Sequence, residues 1–325
     1  MTLTSVDSWP APEVRVRAPG KVNLSLRVGP RDDDGYHPLA TVFQAVSVFE
    51  EVVATAATER TITVTGPQSH LVPTDSSNLA MRAVELVAAA AGVDEGVHLH
   101  IEKGVPVAGG MAGGSADGAA ALLAVDALWH TGLSRSDLLE LAAELGSDVP
   151  FILQGHTAVG QGRGTLLTPA LSRGEFHWAF AVHDEGLSTA DVYREFDRLH
   201  APSADLRADL RRGGGSAVPP DAEDDVALMQ ALRAGDPHAL GEALHNDLQA
   251  AALELSPGLA EPLAVAQDAG ALGVIVSGSG PTVAALARNR QHALALAAAF
   301  TASGVADRVL TATGPVAGAR VVSTD

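Results

Sequence analysis

Apolar and polar positions alternate with period two over residues 14–17 and again over 22–28, which predicts two strand segments broken at Pro19-Gly20. Lys21 and Asn23, two apart in the second segment, share one of its faces. The β-branched stretches 41–54 and 61–65 predict further strands, and 73–78 is a polar break. Residues 79–91 then read as an amphipathic helix with Ser77 or Asn78 at its cap. Residues 98–102, His-Leu-His-Ile-Glu, alternate as a strand, and 119–129 are rich in the helix formers Ala and Leu. A helix from Ser134 or Ser136 runs to about residue 145 and stops at Gly146, and 157–164 is a strand that breaks into a glycine-rich bend. The pattern restarts at 170–174, which places a domain boundary there and divides the chain into 13–170 and 171–317. The second part predicts a strand at 178–183 and a helix entered from Ser188 or Thr189. Helices follow near 224–234, 238–253 and 259–268, then a strand at 273–276, the turn Ser277-Gly278-Ser279-Gly280-Pro281-Thr282, a strand at 283–287, a helix at 289–303 and a closing strand at 308–313. No internal repeat is present.

The stretch 105–118, Val-Pro-Val-Ala-Gly-Gly-Met-Ala-Gly-Gly-Ser-Ala-Asp-Gly, sits between a strand and a helix. Gly109, Gly110, Gly113 and Gly114 let backbone N–H groups turn inward and approach a ligand closely. The free N–H groups and the dipole of the following helix favour an anion there, and phosphate is the natural candidate. A flexible turn would need one or two glycines rather than four around a helix start. The stretch fits neither G-x-x-x-x-G-K-[ST] nor G-x-G-x-x-G, which argues against a P-loop and against a dinucleotide fold. Ser115 can cap the helix or touch the ligand.

Composition narrows the classes. A chain of 325 residues accommodates two ordinary domains, and 46% apolar residues supply a substantial core. A formal net charge of −18 argues against nucleic acid and anionic membrane as partners, so attraction for an anionic ligand must be local. There is no cysteine, hence no disulfide framework and no thiolate metal site. No apolar run reaches the length of a membrane span, and residues 1–12 read as a frayed tail without a signal-peptide pattern. Of 21 basic residues only Lys21 and Lys103 are lysine, a compact point charge where a planar fork would not fit. The acidic turn 31–38 holds Asp32, Asp33 and Asp34, read as a solvated loop in preference to a metal site, and then Tyr36-His37, which is either a buried structural pair or a pair suited to a flat polar ligand such as a nucleobase. Asp148 lies on a constrained turn before Pro150; it is either an ordinary turn or cap aspartate, or a carboxylate held at a site as a base or to orient a hydroxyl. The Gly-, Arg- and Pro-rich stretch 211–225 reads as mobile.

Three spaced motifs, Pro19-Gly20-Lys21-Val22-Asn23-Leu24, residues 106–115 and Ser277-Gly278-Ser279-Gly280, together resemble the GHMP small-molecule kinases and cover most of the chain in that family's order. Gly35-Tyr36-His37-Pro38 and Gly146-Ser147-Asp148-Val149-Pro150-Phe151 extend the likeness. The resemblance implies an α+β fold with an N-terminal ribosomal-protein-like half and a C-terminal ferredoxin-like half. It implies a cytoplasmic enzyme, monomeric or weakly dimeric, that uses ATP and Mg2+ to phosphorylate a hydroxyl of a small-molecule substrate carrying a cytidine diphosphate. By that analogy Lys21 and Asp148 are the catalytic pair. Asn23 and His37 hold the substrate, and Tyr36 and Tyr193 flank its cytosine. Asn78, Lys103 and the run Pro106, Val107, Ala108, Gly109, Gly110, Met111, Ala112, Gly113, Gly114, Ser115 and Ala116 hold ATP. The chain departs from the family's habit at Ala108 and His156, where glycine is usual, at Gly118, where alanine is usual, and at Thr165, where glutamate is usual. A mevalonate or homoserine kinase of the same family and a non-catalytic nucleotide sensor are the alternatives.

Overall fold

Strands β1 (Glu13–Val28) and β2 (Leu39–Ala57) pair antiparallel along almost their whole length and carry the first sheet. The computed structural model describes residues 12–32, 35–200 and 225–322. The tail 1–11, Asp33, Asp34 and residues 211–224 of the stretch read as mobile lie outside the described residues. Pro19-Gly20, read as a break, is instead an irregularity inside one continuous strand, where the β1–β2 register shifts. Its effect is a change of face. Val16 and Ala18 pack into the core under the helices, whereas Val22 and Leu24 pack into the core on the other side of the sheet. Lys21 and Asn23 are thereby turned toward the helical side.

β3 (Thr61–Thr65), β4 (Gly96–Glu102), β5 (Thr157–Gly162), β6 (Leu166–Pro169), β8 (His245–Asn246) and β12 (Arg320–Val321) complete an eight-stranded sheet in which β2 is flanked by β1 and β4, with β5 pairing it near Leu39. α1 (Leu79–Ala91) starts on Asn78, whose side chain accepts from Ala80 N at 2.8 Å, and ends at Gly92. α2 (Gly113–Trp129) is apolar on every side and accordingly packs on β1, β2, α1 and α4. It begins at Gly113, inside the glycine-rich stretch, earlier than the Ala/Leu run alone predicts. α3 (Arg135–Leu145) is capped by Ser134, with Asp137 closing the capping box. α4 (Val149–Gln154), six residues with Pro150 in its first turn, is too short to show a period and was not expected as a helix.

The second sheet has the order β11-β7-β10-β9, built from β7 (Phe176–Val182), β9 (Gly273–Val276), β10 (Val283–Ala287) and β11 (Arg308–Gly314), all antiparallel. With α5 (Thr189–Leu199), α6 (Val226–Ala234), α7 (Pro237–Glu242), α8 (Gln249–Leu255) and α9 (Ala260–Asp268) between β7 and β9, and α10 (Arg290–Ser303) between β10 and β11, it is a ferredoxin-like arrangement with added helices. Phe176, Trp178 and Phe180 of β7 are buried against Val22, Leu24, Val42 and Val46 and join the two sheets, each buried phenylalanine contributing roughly 1.5–3 kcal/mol. The helix expected over 238–253 is interrupted. Asn246 donates to Val276 O and Gly278 O, both at 2.8 Å, and Asp247 Oδ2 accepts from Val28 N at 2.8 Å. These side chains tie the segment to β9 and β1 as the short strand β8, in place of a helical turn. No helix among the described residues is long and apolar enough to cross a membrane.

A buried ionic cluster joins β2, β4 and α2. Lys103, just beyond β4, lies 2.5 Å from Glu50 Oε1 and donates to Asp117 Oδ2 at 2.8 Å. Glu50 Oε2 accepts from Gly104 N at 2.7 Å. All three side chains are at most 3% exposed. Burial, reinforced by Asp117, pushes the Glu50 carboxyl up to about 8 against the pull of Lys103. Burial likewise raises Asp117 to about 6. Burial works against the Lys103 ammonium, but the two carboxylates together hold it above the usual lysine value. Removing the ammonium alone strands two buried acids, a loss of roughly 3–5 kcal/mol.

Two stability measurements follow from these features. Because the folded carboxyls bind protons that the unfolded chain releases, the cluster's contribution falls as pH rises from about 4 through about 8. Asp117→Asn removes one of these groups and the charge that raises the other. Its urea midpoint is therefore expected to decline less between pH 5 and 8 than that of the parent; parallel slopes would refute the assignment. His156 sits at φ +59, with its N donating to Val316 O at 2.7 Å and its O accepting from Ala45 N at 2.8 Å, so the left-handed backbone cannot relax. His156→Gly is expected to stabilise by roughly 0.5–1 kcal/mol, the relief of left-handed strain less the entropy a glycine adds to the unfolded chain. A lowered midpoint would mean that the imidazole itself contributes more.

Candidate functional site

Lys21 and Asp148 face each other across the mouth of the glycine-rich stretch, Lys21 Nζ lying 3.8 Å from Asp148 Oδ2. β1 brings the lysine and the turn entering α4 brings the aspartate. Asp148 is the residue before α4, but its side chain makes no capping bond, so the carboxylate projects into the cavity. Lys21 Nζ donates to Asn23 Oδ1 at 2.6 Å and to Gly110 O at 2.8 Å. Asn23 Nδ2 donates to Thr41 Oγ1 at 2.8 Å, and Thr41 Oγ1 donates to Ser25 O at 2.7 Å. This relay fixes the ammonium at 4% exposure. Burial lowers the lysine's proton affinity, and the charge of Asp148 opposes that. The 3.8 Å gap exceeds a hydrogen bond, so an oxygen set about 2.8 Å from each group completes a triangle with them.

The loop above Lys21 is formed by close approach of two backbones. A Cβ on Gly110 would lie 2.0 Å from Ser277 O, and one on Gly278 would lie 3.0 Å from Lys21 Nζ. Ser277 Oγ donates to Gly110 O at 3.0 Å, and Asn246 holds the Gly278 carbonyl from behind. The Ser-Gly-Ser-Gly turn of the second sheet thus closes directly on the lysine of the first.

A cavity of about 520 Å³ opens here, lined by Lys21, Asn23, Thr41, Ala108, Gly109, Gly110, Ala112, Gly113, Gly114, Ser115, Ser147, Asp148 and Ser279, among others. Gly113, Gly114 and Ser115 form the first turn of α2, where N–H groups lack intrahelical partners. A Cβ on Gly114 would meet only Leu79 Cδ1 within 4 Å, at 3.7 Å, so the space over this helix start is open. Ala108 and Ala112 hold the loop at φ +50 and +64, conformations in which glycine is the cheaper residue. The departure from glycine at Ala108 keeps the turn and stores some strain in it.

A second cavity, about 780 Å³, adjoins the first and shares Leu39, Ser147, Arg163, Thr189 and Tyr193 with it. Tyr36 and His37 line it as well. The His37 and Tyr193 rings stack at 5.3 Å, Nδ1 of His37 is bonded to Gly29 O at 2.8 Å, and its Nε2 faces Asp197 at 3.3 Å. Burial and the nearby Asp148 charge raise the Tyr193 phenol above its ordinary value, so it remains a donor.

Not every residue singled out from the sequence reaches these cavities. Pro106, Val107, Met111 and Ala116 do not line them. Met111 and Ala116 are wholly buried, and Val107 N donates to Gln68 Oε1 at 3.0 Å. Asn78 is the buried cap of α1, and its neighbour Leu79 reaches the cavity instead. Lys103 is sealed under the loop with its charge met by Glu50 and Asp117. Conversely Thr41, Ser147, Arg163, Thr189 and Ser279 line the cavities without having been proposed as site residues. Arg163 and Ser279 lie in glycine-rich turns already visible in the sequence; Thr41 and Ser147 carry no local signal. Among the described residues no group of three or more His, Asp or Glu is placed to hold a metal ion.

Comparison with known proteins places this geometry. The family models for the N-terminal domain and the C-terminal region of GHMP kinases match residues 78–156 and 228–306. A 4-diphosphocytidyl-2-C-methyl-D-erythritol kinase of Clavibacter michiganensis subsp. michiganensis is 51% identical over 312 residues, 95% of this chain and 96% of that protein. The protein of the same name from Thermobifida fusca is 52% identical over 317 residues, 95% of this chain and 98% of its own length. A crystal structure of 4-(cytidine 5'-diphospho)-2C-methyl-D-erythritol kinase superimposes with a TM-score of 0.71 at 32% identity, covering 93% of this chain and 99% of that one. The chain belongs to the GHMP kinases, a family of small-molecule kinases.

Proposed function

We propose that the chain transfers the γ-phosphoryl group of ATP to a hydroxyl of 4-diphosphocytidyl-2-C-methyl-D-erythritol, a step of the non-mevalonate route to isoprenoid precursors. The observation that carries this reading is the meeting of two cavities at one ammonium–carboxylate pair: a glycine cradle at a helix start on one side, and an imidazole–phenol stack on the other. The names of relatives at about 51% identity supply the substrate. A mevalonate or homoserine acceptor would leave the second cavity without a ligand.

Within this reading the first-turn N–H groups of α2 hold the phosphates of ATP, and residues 108–115 shape the cradle. The open space over Gly114 fits a polyphosphate, whereas Gly109, Gly110 and Gly113 are held to glycine by protein atoms that a Cβ would meet at 3.0 Å or less. Mg2+ would supply charge neutralisation on the phosphates and would be held mainly by the nucleotide and water, since no group of three or more His, Asp or Glu among the described residues is placed to bind it. The acceptor hydroxyl lies between Lys21 and Asp148. Its oxygen forms the new bond to the γ-phosphorus as the bond to the β–γ bridging oxygen breaks, and ADP leaves. Asp148 accepts the hydroxyl hydrogen and so directs a lone pair at phosphorus. Lys21 stabilises charge on the transferring group, a positioning and electrostatic role suited to a loose transition state. Tyr36 and Tyr193 flank the cytosine, His37 holds the substrate, and Asn23 holds both the lysine and the substrate. Residues 13–170 carry the nucleotide side, and the described residues of 171–317 contribute Tyr193, Gly278 and Ser279 to the cavity wall.

Incubation with ATP, Mg2+ and the cytidine diphosphate substrate should yield a new phosphomonoester by 31P NMR, with ADP release in equal amount. The same assay with mevalonate and homoserine should show none, and the opposite pattern would overturn the substrate. Asp148→Ala should melt within a few degrees of the parent yet lose about 10²–10⁴-fold in kcat. Undiminished turnover in that variant would remove Asp148 from the mechanism.

A further inference from the structure

Asn246 lines neither cavity, yet its side chain is two contacts from the Lys21 ammonium. Its Nδ2 donates to Val276 O and to Gly278 O, both at 2.8 Å, so one amide grips the carbonyls on either side of Ser277. Its Oδ1 accepts from Leu248 N at 2.9 Å, which fixes the orientation of the amide. Gly278 in turn lies against the lysine: a Cβ built on it would stand 3.0 Å from Lys21 Nζ and 3.3 Å from Asn23 Oδ1. Ser277 Oγ donates to Gly110 O, the carbonyl that also accepts from Lys21 Nζ.

The other end of the link is the strand that carries the lysine. β8 runs parallel to β1, with Leu26 opposite Asn246. Asp247 N donates to Leu26 O at 2.9 Å, and Asp247 Oδ2 accepts from Val28 N at 2.8 Å. His245 Nε2 lies 2.6 Å from the other oxygen of that carboxylate. Asn246-Asp247 is thus a two-residue brace. Asp247 fastens it to the strand of Lys21, and Asn246 fastens to it the turn that closes on Lys21. Without the amide two carbonyls lose a donor, and the turn must shift to find others. Phosphoryl transfer draws much of its rate from positioning, so a shift against the ammonium is felt in the chemical step.

We propose that Asn246 is a positioning residue for phosphoryl transfer, acting through Gly278 to hold the Lys21 ammonium in place while touching neither ligand. The kinetic consequence rests on the substrate reading above; the link to Lys21 does not.

The chain has two lysines, Lys21 and Lys103, both nearly sealed from solvent, so protein grown on isotope-labelled lysine gives one NMR side-chain signal for each. Lys21→Met identifies which is which. In Asn246→Ala the Lys21 signal should move while that of Lys103 stays in place. Its kcat should fall by about 10–100-fold, with KM for ATP and for the acceptor within about twofold of the parent. Asn246→Asp keeps the shape and the acceptor for Leu248 N but presents an acceptor to both carbonyls. It should lose at least as much, and it carries the test if the alanine variant does not fold. Gln249→Ala is the control. Gln249 Oε1 accepts from Val276 N at 2.9 Å, so its loss loosens the same end of β9 without freeing Gly278. That variant should leave the Lys21 signal in place and kcat within about twofold. A Lys21 signal that stays put in both Asn246 variants would overturn the proposal, as would one that moves equally in Gln249→Ala. Parental kcat in both Asn246 variants would also overturn it. A parent chain that leaves the acceptor unphosphorylated would sink the substrate reading, whereas the Lys21 signal, read without acceptor, would still decide the link.

Discussion

Everything at the site depends on two glycine-bearing backbones meeting around one lysine. Gly110 O accepts from Lys21 Nζ and from Ser277 Oγ, so one carbonyl links the glycine-rich loop, the first sheet and the turn of the second sheet. The distances leave no room for side chains: a Cβ at Gly110 would fall inside van der Waals contact of Ser277 O, and one at Gly278 would crowd the ammonium and Asn23. Glycine is required at these two positions twice over, by left-handed backbone at φ +76 and +57 and by the approach of backbone to backbone and backbone to cation. The two sheets come together through Trp178 and its neighbours, and their packing sets where Ser277 lies. The site geometry is thus a consequence of core packing between the halves, expressed through a contact a few residues wide.

The chain's two lysines show how similar burial produces opposite chemistry. Lys103 is enclosed by two carboxylates close enough to outweigh desolvation, and its charge is locked in place. Lys21 is equally buried, but its nearest neighbours are an amide oxygen and a carbonyl oxygen, and its one carboxylate stands off at 3.8 Å. Desolvation therefore prevails, and its ammonium is held less tightly in the charged state. A cation that its surroundings under-compensate is poised to gain from an incoming anion. One that is over-compensated is a clamp. The Lys103 clamp lies beneath the first turns of α2 and joins the strand before the glycine stretch to the helix after it, so it stiffens the frame in which Lys21 works.

Much of this was legible in the sequence, and for identifiable reasons. The strand–glycine–helix order and the Asn78 and Ser134 caps follow from local patterns, and the convergence of Lys21, Asn23 and Asp148 from the resemblance that the motif order carries. Lys103 shows the limit. Its rarity as a lysine pointed to function, but rarity says nothing about which carboxylates lie across the sheet, and Glu50 and Asp117 are far from it in pattern if not in space. Met111, in the loop before α2, and Ala116, in its first turns, belong to the same stretch as Gly110 and Gly113, yet both side chains are buried in the cores on either side of the first sheet. The helix expected at 238–253 failed because Asn246 and Asp247 bind backbone groups of β9 and β1, partners that no periodicity reveals. Thr41 and Ser147 reach the cavity through sheet register and a tight turn, and both are residues of ordinary type.

The two halves of the cleft are built with different stiffness, and the difference follows from their parts. The inner cavity is walled by backbone: glycine loops, a helix start and a strand whose side chains are hydrogen-bonded in series from Lys21 to Ser25 O. The outer cavity is walled by side chains on a turn and on α5, where Arg163 rests on Tyr36 and His37 on Tyr193. Phosphoryl transfer tolerates little displacement, since positioning supplies much of its rate, whereas recognition of a base and its linker needs correct groups within reach of a cleft that admits and releases a large ligand. A rigid backbone cradle joined to an adaptable side-chain rim meets both demands. The join between them runs along the wall that Leu39, Ser147, Arg163, Thr189 and Tyr193 share, and there side chains of both halves of the chain meet.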